Sequence, residues 1–339
     1  MSGVLHKLQK DTPSITVLMS VFNGALFLHE AIESVLNQTF TDFEFIIVDD
    51  GSLDNSVEII RRCQLQDPRI SLISKTNTGL ADSLNHGIQK ARGEWIARLD
   101  ADDLCEPTRL AKQILLAEKN PNLVFIGTGL TIINEKGTKK TIYNYPERHQ
   151  DLLKQLQIAG KFPPHSSAFY LTKVVRALGG YRPRIKRSQD LDLWLRLSAV
   201  GELACIGEPL VQLRQHARQI SNEETGKRQL YDARIGMVSY WLRCLGVRDP
   251  VDADEKNFYD FKVWLHTRLD AAGFFEYQVH VNYLRLLIHK SSKSNFDILK
   301  LLVTCFSHPI FSLHFIWNNI FGESITRRLA FEWVMQRKE

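Results

Sequence analysis

Three carboxylates crowd into four positions at Asp100, Asp102 and Asp103, directly behind the apolar run Trp95-Ile96-Ala97-Arg98-Leu99. Like charges this close raise one another's free energy unless a positive charge sits among them. The run reads as a short strand, so Asp100 and Asp102, two residues apart, point to one side of an extended backbone. Two oxygen ligands on one side suit a hard divalent cation. Such ions are typically held by one or two carboxylates, while diphosphate oxygens and water complete the shell. The chemistry expected is a metal-diphosphate site at the C-terminal end of a strand. The same spacing suits a solvated acidic turn that caps the following helix, so the choice falls to other residues. Asp103 reads as an acid on the helix side.

A second acidic pair, Asp49-Asp50, ends the run Phe43-Glu44-Phe45-Ile46-Ile47-Val48. A carboxylate there can accept hydrogen bonds from a nucleobase N–H or a ribose hydroxyl. A leaving diphosphate needs a nucleophile opposite it, and Asp190 is the candidate for activating one. The stretch from Ser188 to Leu197 predicts a helix with Ser188 as its N-cap. On it Asp190 and Trp194 share a face at spacing four, whereas Asp192 points elsewhere and can pair with an exposed Arg196. The first helical turn favours the ionised form of Asp190, as a general base requires, and keeps that base weak. An N-terminal helix acid without catalytic use is the competing reading.

These acids need a scaffold that brings strand ends together. Apolar runs at 15–22, 43–48, 69–74 and 95–99 predict strands. Helical spacing follows each at 28–36, 57–63, 79–91 and 107–118. Strand-helix alternation of this kind predicts an α/β fold with a doubly wound, mainly parallel sheet and ligands at the carboxyl ends of the strands. Further on, a strand at 124–133 turns through Asn134-Glu135-Lys136-Gly137 toward Thr141-Ile142-Tyr143, in hairpin fashion. A helix at 148–160, the loop Phe162-Pro163-Pro164-His165, a strand at 166–171 and short strands at 203–206 and 210–213 complete the region. Beyond 222 only helical patterns rich in Trp, Phe, Tyr and Arg occur. The chain therefore divides into an extension at 1–13, a site-bearing α/β domain at 14–221 and a helical region at 222–339.

Composition narrows the classes. The 339 residues carry 43 basic and 38 acidic side chains, and a net +5 is too mild an excess to imply nucleic acid. The five cysteines are scattered and odd in number, without a C-x-x-C pair, against both a disulfide framework and a zinc knuckle. Residues 1–13 lack the continuous apolar segment of a signal peptide, and a cytoplasmic location is expected. Leu301 to Gly322 holds no charged residue, yet His308, Pro309, His314, Asn318 and Asn319 make it a poor transmembrane span. Trp241, Trp264, Trp317 and Trp333, with interspersed Arg and Lys, suit either peripheral attachment to an anionic membrane surface or core and oligomer contacts.

Five ordered motifs carry a resemblance over roughly residues 14–220. Val17-Leu18-Met19-Ser20-Val21-Phe22-Asn23-Gly24 comes first, then Val48-Asp49-Asp50-Gly51-Ser52, and then Asn77-Thr78-Gly79-Leu80 with Leu84-Asn85-His86-Gly87. Leu99-Asp100-Ala101-Asp102-Asp103 follows, and after it Gly179-Gly180-Tyr181 with Asp190-Leu191-Asp192-Leu193-Trp194. Together they resemble the inverting nucleotide-sugar glycosyltransferases of family 2. The resemblance implies the A-type glycosyltransferase fold, Rossmann-like with helices on both faces. It also implies a nucleoside-diphosphate sugar donor, UDP-linked by preference, and Mg²⁺ or Mn²⁺ as cofactor. The acceptor implied is a hydroxyl on a saccharide or lipid-linked saccharide, in cell-surface polysaccharide or lipopolysaccharide assembly.

By the same resemblance Val21, Phe22 and Asp49-Asp50 border the nucleoside, Asp100 meets the ribose or sugar, Asp102 binds the metal and Asp190 is the base. Asn23, Lys75, Gly79 and Ala101 join the donor contacts, with Lys75 also readable as an exposed lysine beside a turn. Arg214-Gln215-His216 looks like the family's late Arg-x-His element, which would set His216 on the metal or diphosphate and Arg214 nearby as a cation for phosphate. His165, before Ser166-Ser167, leans toward the acceptor site. The chain departs from the family pattern at Gln189, where Glu is usual, and at Ser20 and Phe22, where Pro and Tyr are usual. A sugar-nucleotide nucleotidyltransferase is the nearest rival, but the loop Asn23-Gly24-Ala25-Leu26-Phe27 lacks its further glycines and arginine. A catalytically silent scaffold is the other, against which the complete set of acids counts.

Overall fold

The computed structural model describes residues 12–159, 162–216, 223–271 and 325–337. The chain separates into two compact units, Met1–Ile220 and Ser221–Glu339. In the first, β1 (Ile15–Val21), β2 (Phe43–Asp49), β3 (Ile70–Ser74) and β4 (Trp95–Arg98) lie parallel, in the order β3-β2-β1-β4. β1 and β2 are buried over nearly their whole length because helices cover both faces, which is why they read as continuous rather than alternating apolar runs. The helices are α1 (Ala25–Leu36), α2 (Ser56–Gln66) and α3 (Leu80–Lys90). On α1 the buried set is Phe27, Leu28, Ala31, Ile32 and Val35, a single stripe at helical spacing.

Parallel register aligns the strand ends. Val21 pairs with Asp49, Asp49 with Ser74, and Leu18 with Arg98, so residues 22–24, 50–52, 75–79 and 99–103 emerge at one edge. Beyond β4 the sheet mixes antiparallel and parallel pairings. β5 (Leu104–Cys105) and the helix α4 (Arg109–Lys119) follow the acidic segment. They lead into β6 (Leu123–Asn134), which forms a hairpin with β7 (Lys139–Tyr143). After α5 (His149–Ala159) and a 3-10 turn at His165–Ser167, β8 (Phe169–Leu171) slots between β4 and β6.

α6 (Thr172–Ala177) and α7 (Gln189–Leu197) precede β9 (Glu202–Gln215). β9 is one strand where the sequence suggests two. Register shifts near Pro209 interrupt its parallel pairing with β6, because proline cannot donate to the ladder. Its far end, Arg214-Gln215, reaches the edge where the acids lie.

The second unit is helical in its described parts: α8 (Glu223–Cys244), α9 (Glu255–Ala271) and a C-terminal helix, Ile325–Gln336. Phe261, Leu265 and Leu269 form the buried stripe of α9. The rings of Trp264 and Trp333 stand 4.8 Å apart, so these two tryptophans are packed against one another within the unit. No helix among the described residues is long and apolar enough to cross a membrane. The uncharged stretch 301–322, Trp317 and Cys305 lie outside the described residues. The four described cysteines, Cys63, Cys105, Cys205 and Cys244, are free thiols.

Candidate active site

The ends of β1 and β2 are tied into one platform. Asn23 adopts a left-handed φ of 51°. Its N–H donates to Ser52 Oγ at 2.9 Å, and its Oδ1 accepts from Leu53 N at 2.8 Å. Gly24 N donates to Ser56 Oγ at 3.0 Å and Ala25 N to Asp54 Oδ2 at 3.0 Å. Asp49, also buried, accepts from Ser52 N at 3.2 Å. Val21 is buried, while Phe22 stands 51% exposed beyond it.

Asp50 turns the other way. Its carboxylate accepts from Thr78 N at 3.0 Å and Gly79 N at 2.9 Å and pairs with Lys75 Nζ. Burial opposes ionisation of Asp50, but Lys75 and the two amides outweigh it and hold the carboxyl below its ordinary range. The exposed-lysine reading of Lys75 does not hold. Its side chain is 13% exposed, and its Nζ also meets Thr76 O at 3.0 Å and Asp82 at 3.3 Å. Lys75 and Asp50 thus shape the loop that delivers Gly79, at φ 99°, to the start of α3.

At the end of β4 the positive charge that the acidic cluster requires is Arg98. It is fully buried and pairs with Asp100. Burial works to raise the Asp100 carboxyl, but the Arg98 charge and the Ser166 hydroxyl outweigh it, so Asp100 stays ionised. Ser166 Oγ donates to Asp100 Oδ2 at 2.7 Å, accepts from Asp100 N at 3.1 Å and also contacts Asp103 Oδ2. A hydroxyl carries one proton, so both carboxylate contacts are satisfied when Asp103 holds a proton of its own. Burial, then the charges of Asp102 and Asp100, push Asp103 well above the ordinary carboxylate range. Asp103 is therefore a buried strut, with Oδ1 accepting from Arg214 N at 2.9 Å, rather than an acid on the helix side.

Asp102 faces His216. The carboxylate Oδ2 and His216 Nε2 are 2.9 Å apart, and burial followed by the Asp100 charge raises the Asp102 carboxyl. Ala101 lies between the two acids, half-buried. Arg214 does not extend toward a phosphate. It is 1% exposed, and its guanidinium donates to Asp102 O at 3.0 Å, Glu135 O at 2.9 Å and Glu30 Oε2 at 2.7 Å while lying 4.5 Å from the Phe27 ring. It fixes the backbone that aims Asp102. Among the described residues no three His, Cys, Asp or Glu side chains converge on one point. One carboxylate oxygen beside one imidazole nitrogen still fits a hard divalent cation that draws its remaining ligands from diphosphate and water.

The two acids of α7 differ sharply. Asp192 is 1% exposed and shared by two buried arginines: Arg182 Nε donates to its Oδ2 at 2.9 Å and Arg196 Nε at 3.0 Å. Arg196 also donates to Leu178 O at 2.8 Å and Gly180 O at 2.7 Å. The expected Asp192–Arg196 pair exists, but Arg196 is buried rather than exposed, and the pair fastens the Gly179-Gly180-Tyr181 turn to α7. Asn85 grips the same turn, accepting from Tyr181 N at 2.8 Å and donating to Tyr181 O at 2.7 Å.

Asp190 is half-buried and accepts only the adjacent Leu191 N, at 2.9 Å, among its hydrogen bonds to described residues. The helix position favours its ionised form, but burial and the nearby Asp100 charge win, and the carboxyl is raised. That strengthens it as a base. Ser188, at the N-cap position with φ 53°, makes no capping bond with its side chain.

An aromatic wall flanks this side. His165 Nε2 lies 2.7 Å from Tyr181 Oη, and the His165 ring meets Trp194 edge-on at 6.0 Å. Burial and then the Arg98 charge drive the His165 ring down to about 3, so it is neutral. Sequence reasoning missed Arg98 and Ser166. Arg98 could have been found from its spacing of two from Asp100, which puts both on one side of the strand. Ser166 comes from a distant loop, and no local pattern announces it.

Residues 16–179 match the family model described as Glycosyl transferase family 2. An uncharacterized glycosyltransferase of Haemophilus influenzae is 30% identical over 260 residues, covering 70% of this chain and 77% of that protein. The chondroitin synthase of Pasteurella multocida is 31% identical over 193 residues, 56% of this chain but only 19% of the synthase. The crystal structure of S. aureus TarS 1-349 in complex with UDP-GlcNAc superposes with a TM-score of 0.55 at 16% identity, over 72% of this chain and 68% of that one, a likeness of fold. Motif order, strand-end geometry and these matches agree: the chain belongs to glycosyltransferase family 2 and is a transferase enzyme.

Proposed function

We propose that this glycosyltransferase moves a sugar from a nucleoside-diphosphate sugar, UDP-linked by preference, to a hydroxyl of a saccharide or lipid-linked acceptor, inverting the anomeric centre. The observation that carries this reading is the pair of acids with separated environments. Asp100, held ionised by Arg98, stands at the donor edge, and the raised Asp190 stands on α7. A carboxylate with an elevated pKa can take the acceptor hydroxyl's proton as the new bond forms, and attack opposite the leaving diphosphate inverts configuration. Phe22, Asn23, Val21, Asp49 and Asp50 line or brace the nucleoside edge, with Lys75 and Gly79 shaping it from beneath and Ala101 adjoining Asp100. Mg²⁺ or Mn²⁺ bound by Asp102 and His216 would supply positive charge against the departing diphosphate.

The UDP preference draws on the TarS complex, and a role in polysaccharide or lipopolysaccharide assembly draws on the chondroitin synthase relative. The C-terminal helix exposes Arg327, Arg328, Phe331 and Met335, a basic and apolar face that suits peripheral contact with an anionic membrane. Flotation with anionic liposomes at low salt tests that placement.

The decisive experiment is diphosphate release from a panel of nucleotide sugars, with and without EDTA. Release from at least one donor, lost on chelation and restored by Mg²⁺ or Mn²⁺, is expected. Silence across the panel refutes the reading.

A further inference from the structure

We propose that His165 binds the acceptor, its Nδ1 accepting a hydrogen bond from a hydroxyl of the incoming sugar and orienting that substrate beside Asp190. The inference rests on the transfer reaction proposed above. The tautomer follows from a chain of hydrogen bonds. Tyr181 Oη donates to Tyr170 Oη at 3.4 Å, a long contact between two phenols that both keep their protons: burial pushes Tyr170 up to about 12 and raises Tyr181 well above the ordinary phenol range. With its one proton directed at Tyr170, Tyr181 accepts from His165 Nε2–H at 2.7 Å. An imidazole that is neutral and protonated at Nε2 has a bare lone pair at Nδ1.

That lone pair has no protein partner among the described residues, nor is Nδ1 one of their buried orphan atoms. The ring is half-buried, and an unpartnered Nδ1 that is not among the buried orphans keeps some access to solvent. The surroundings locate it. The ring packs on Trp194, which shares a face of α7 with Asp190, and lies within the fields of Arg98 and Asp100. Burial, and then the Arg98 charge, oppose protonation there, so the ring remains an acceptor rather than a cation that would neutralise the base. A hydroxylated substrate is the chemistry that fits a neutral acceptor next to an aromatic wall.

Two substitutions separate substrate binding from bracing. In His165→Asn the amide oxygen takes the place of Nδ1 and the Tyr181 contact is lost, whereas His165→Gln reaches toward Tyr181 and vacates the Nδ1 position. The readout is the ratio of sugar transfer to donor hydrolysis, with p-nitrophenyl glycosides as acceptor probes and the donor that the panel identifies.

The ratio is expected to fall about tenfold in H165Q, the equivalent of one hydrogen bond, through a raised acceptor KM, and to stay above that in H165N. The reverse order shows that the histidine only braces Tyr181, and equal ratios in all three enzymes show that Nδ1 is idle; either overturns the proposal. If the wild-type enzyme hydrolyses donor but transfers to no probe, water stands in for the acceptor and the same order is expected in hydrolysis, with the reverse or no difference again overturning it. A wild-type chain that releases no diphosphate at all defeats the transfer reaction itself, an outcome distinct from an active enzyme with the wrong order.

Discussion

Replacing Asp192 by asparagine removes the charge shared by Arg182 and Arg196 while keeping the side chain's size. Both arginines are at most 10% exposed in their side chains, so neither cation can turn to water. Breaking a buried pair by removing one partner typically costs 3–5 kcal/mol, and in a unit of this size each kcal/mol shifts Tm by about 2–4 °C. A fall of about 10 °C is expected. Asp190→Asn, two residues away on the same helix, should do the opposite. Its carboxyl is raised by burial, so the folded state disfavours the charge.

The sign follows by linkage. A carboxyl with a raised folded pKa weakens the protein once the pH exceeds that pKa and has no effect below its unfolded value. Asp190→Asn is therefore as stable as wild type or more so at pH 7, with the difference vanishing as the pH falls below about 4. Transfer in this variant drops by about 10²–10⁴, the range for loss of a general base, while donor binding persists. Differential scanning calorimetry from pH 4 to 8, paired with donor titration and diphosphate release, measures all of this. A stable D192N protein, or a D190N protein that melts early and still transfers sugar, would refute the assignment of one acid to the scaffold and the other to the chemistry.

Three further outcomes are expected. Gly180→Ala should lose about 1–3 kcal/mol in urea unfolding, because φ is 69° and a Cβ there would sit 2.3 Å from Asn85 Oδ1. Asp50→Asn should destabilise by about 3 kcal/mol at pH 7. Because burial raises the Asp50 carboxyl but Lys75 and the loop amides lower it further, the gap to wild type should be full above about pH 4 and close as acid titrates the depressed group. The acid limb of kcat/KM, measured with saturating metal, should lie above the ordinary carboxylate value of 3.8, since burial raises Asp190.

Much of the architecture was legible in the chain. Apolar runs bounded by turn residues located the parallel strands, and Asp49-Asp50 and Asp100-Ala101-Asp102 marked their ends, because strand periodicity and turn chemistry are local properties. β9 was less so: Pro209 splits its pattern in two, although the parallel pairing with β6 continues past the break. Asp103 and Asp192 show the larger difficulty. Both look like surface acids at helix starts, and both are buried struts, because burial depends on what lies opposite. For Asp103 that is Ser166 and Arg214, more than 60 and 110 positions away.

Taken by itself, the sequence determined the α/β class, the ends of the parallel strands and which carboxylates could do chemistry there. Tertiary structure alone decided which of those carboxylates are charged. Arg98 beneath Asp100 keeps one acid ionised, Arg182 and Arg196 bind another into the scaffold, and burial raises Asp190 against the pull of its helix position. Protonation follows from desolvation and from charges contributed by distant segments, and neither is written in the spacing of residues along one strand or helix.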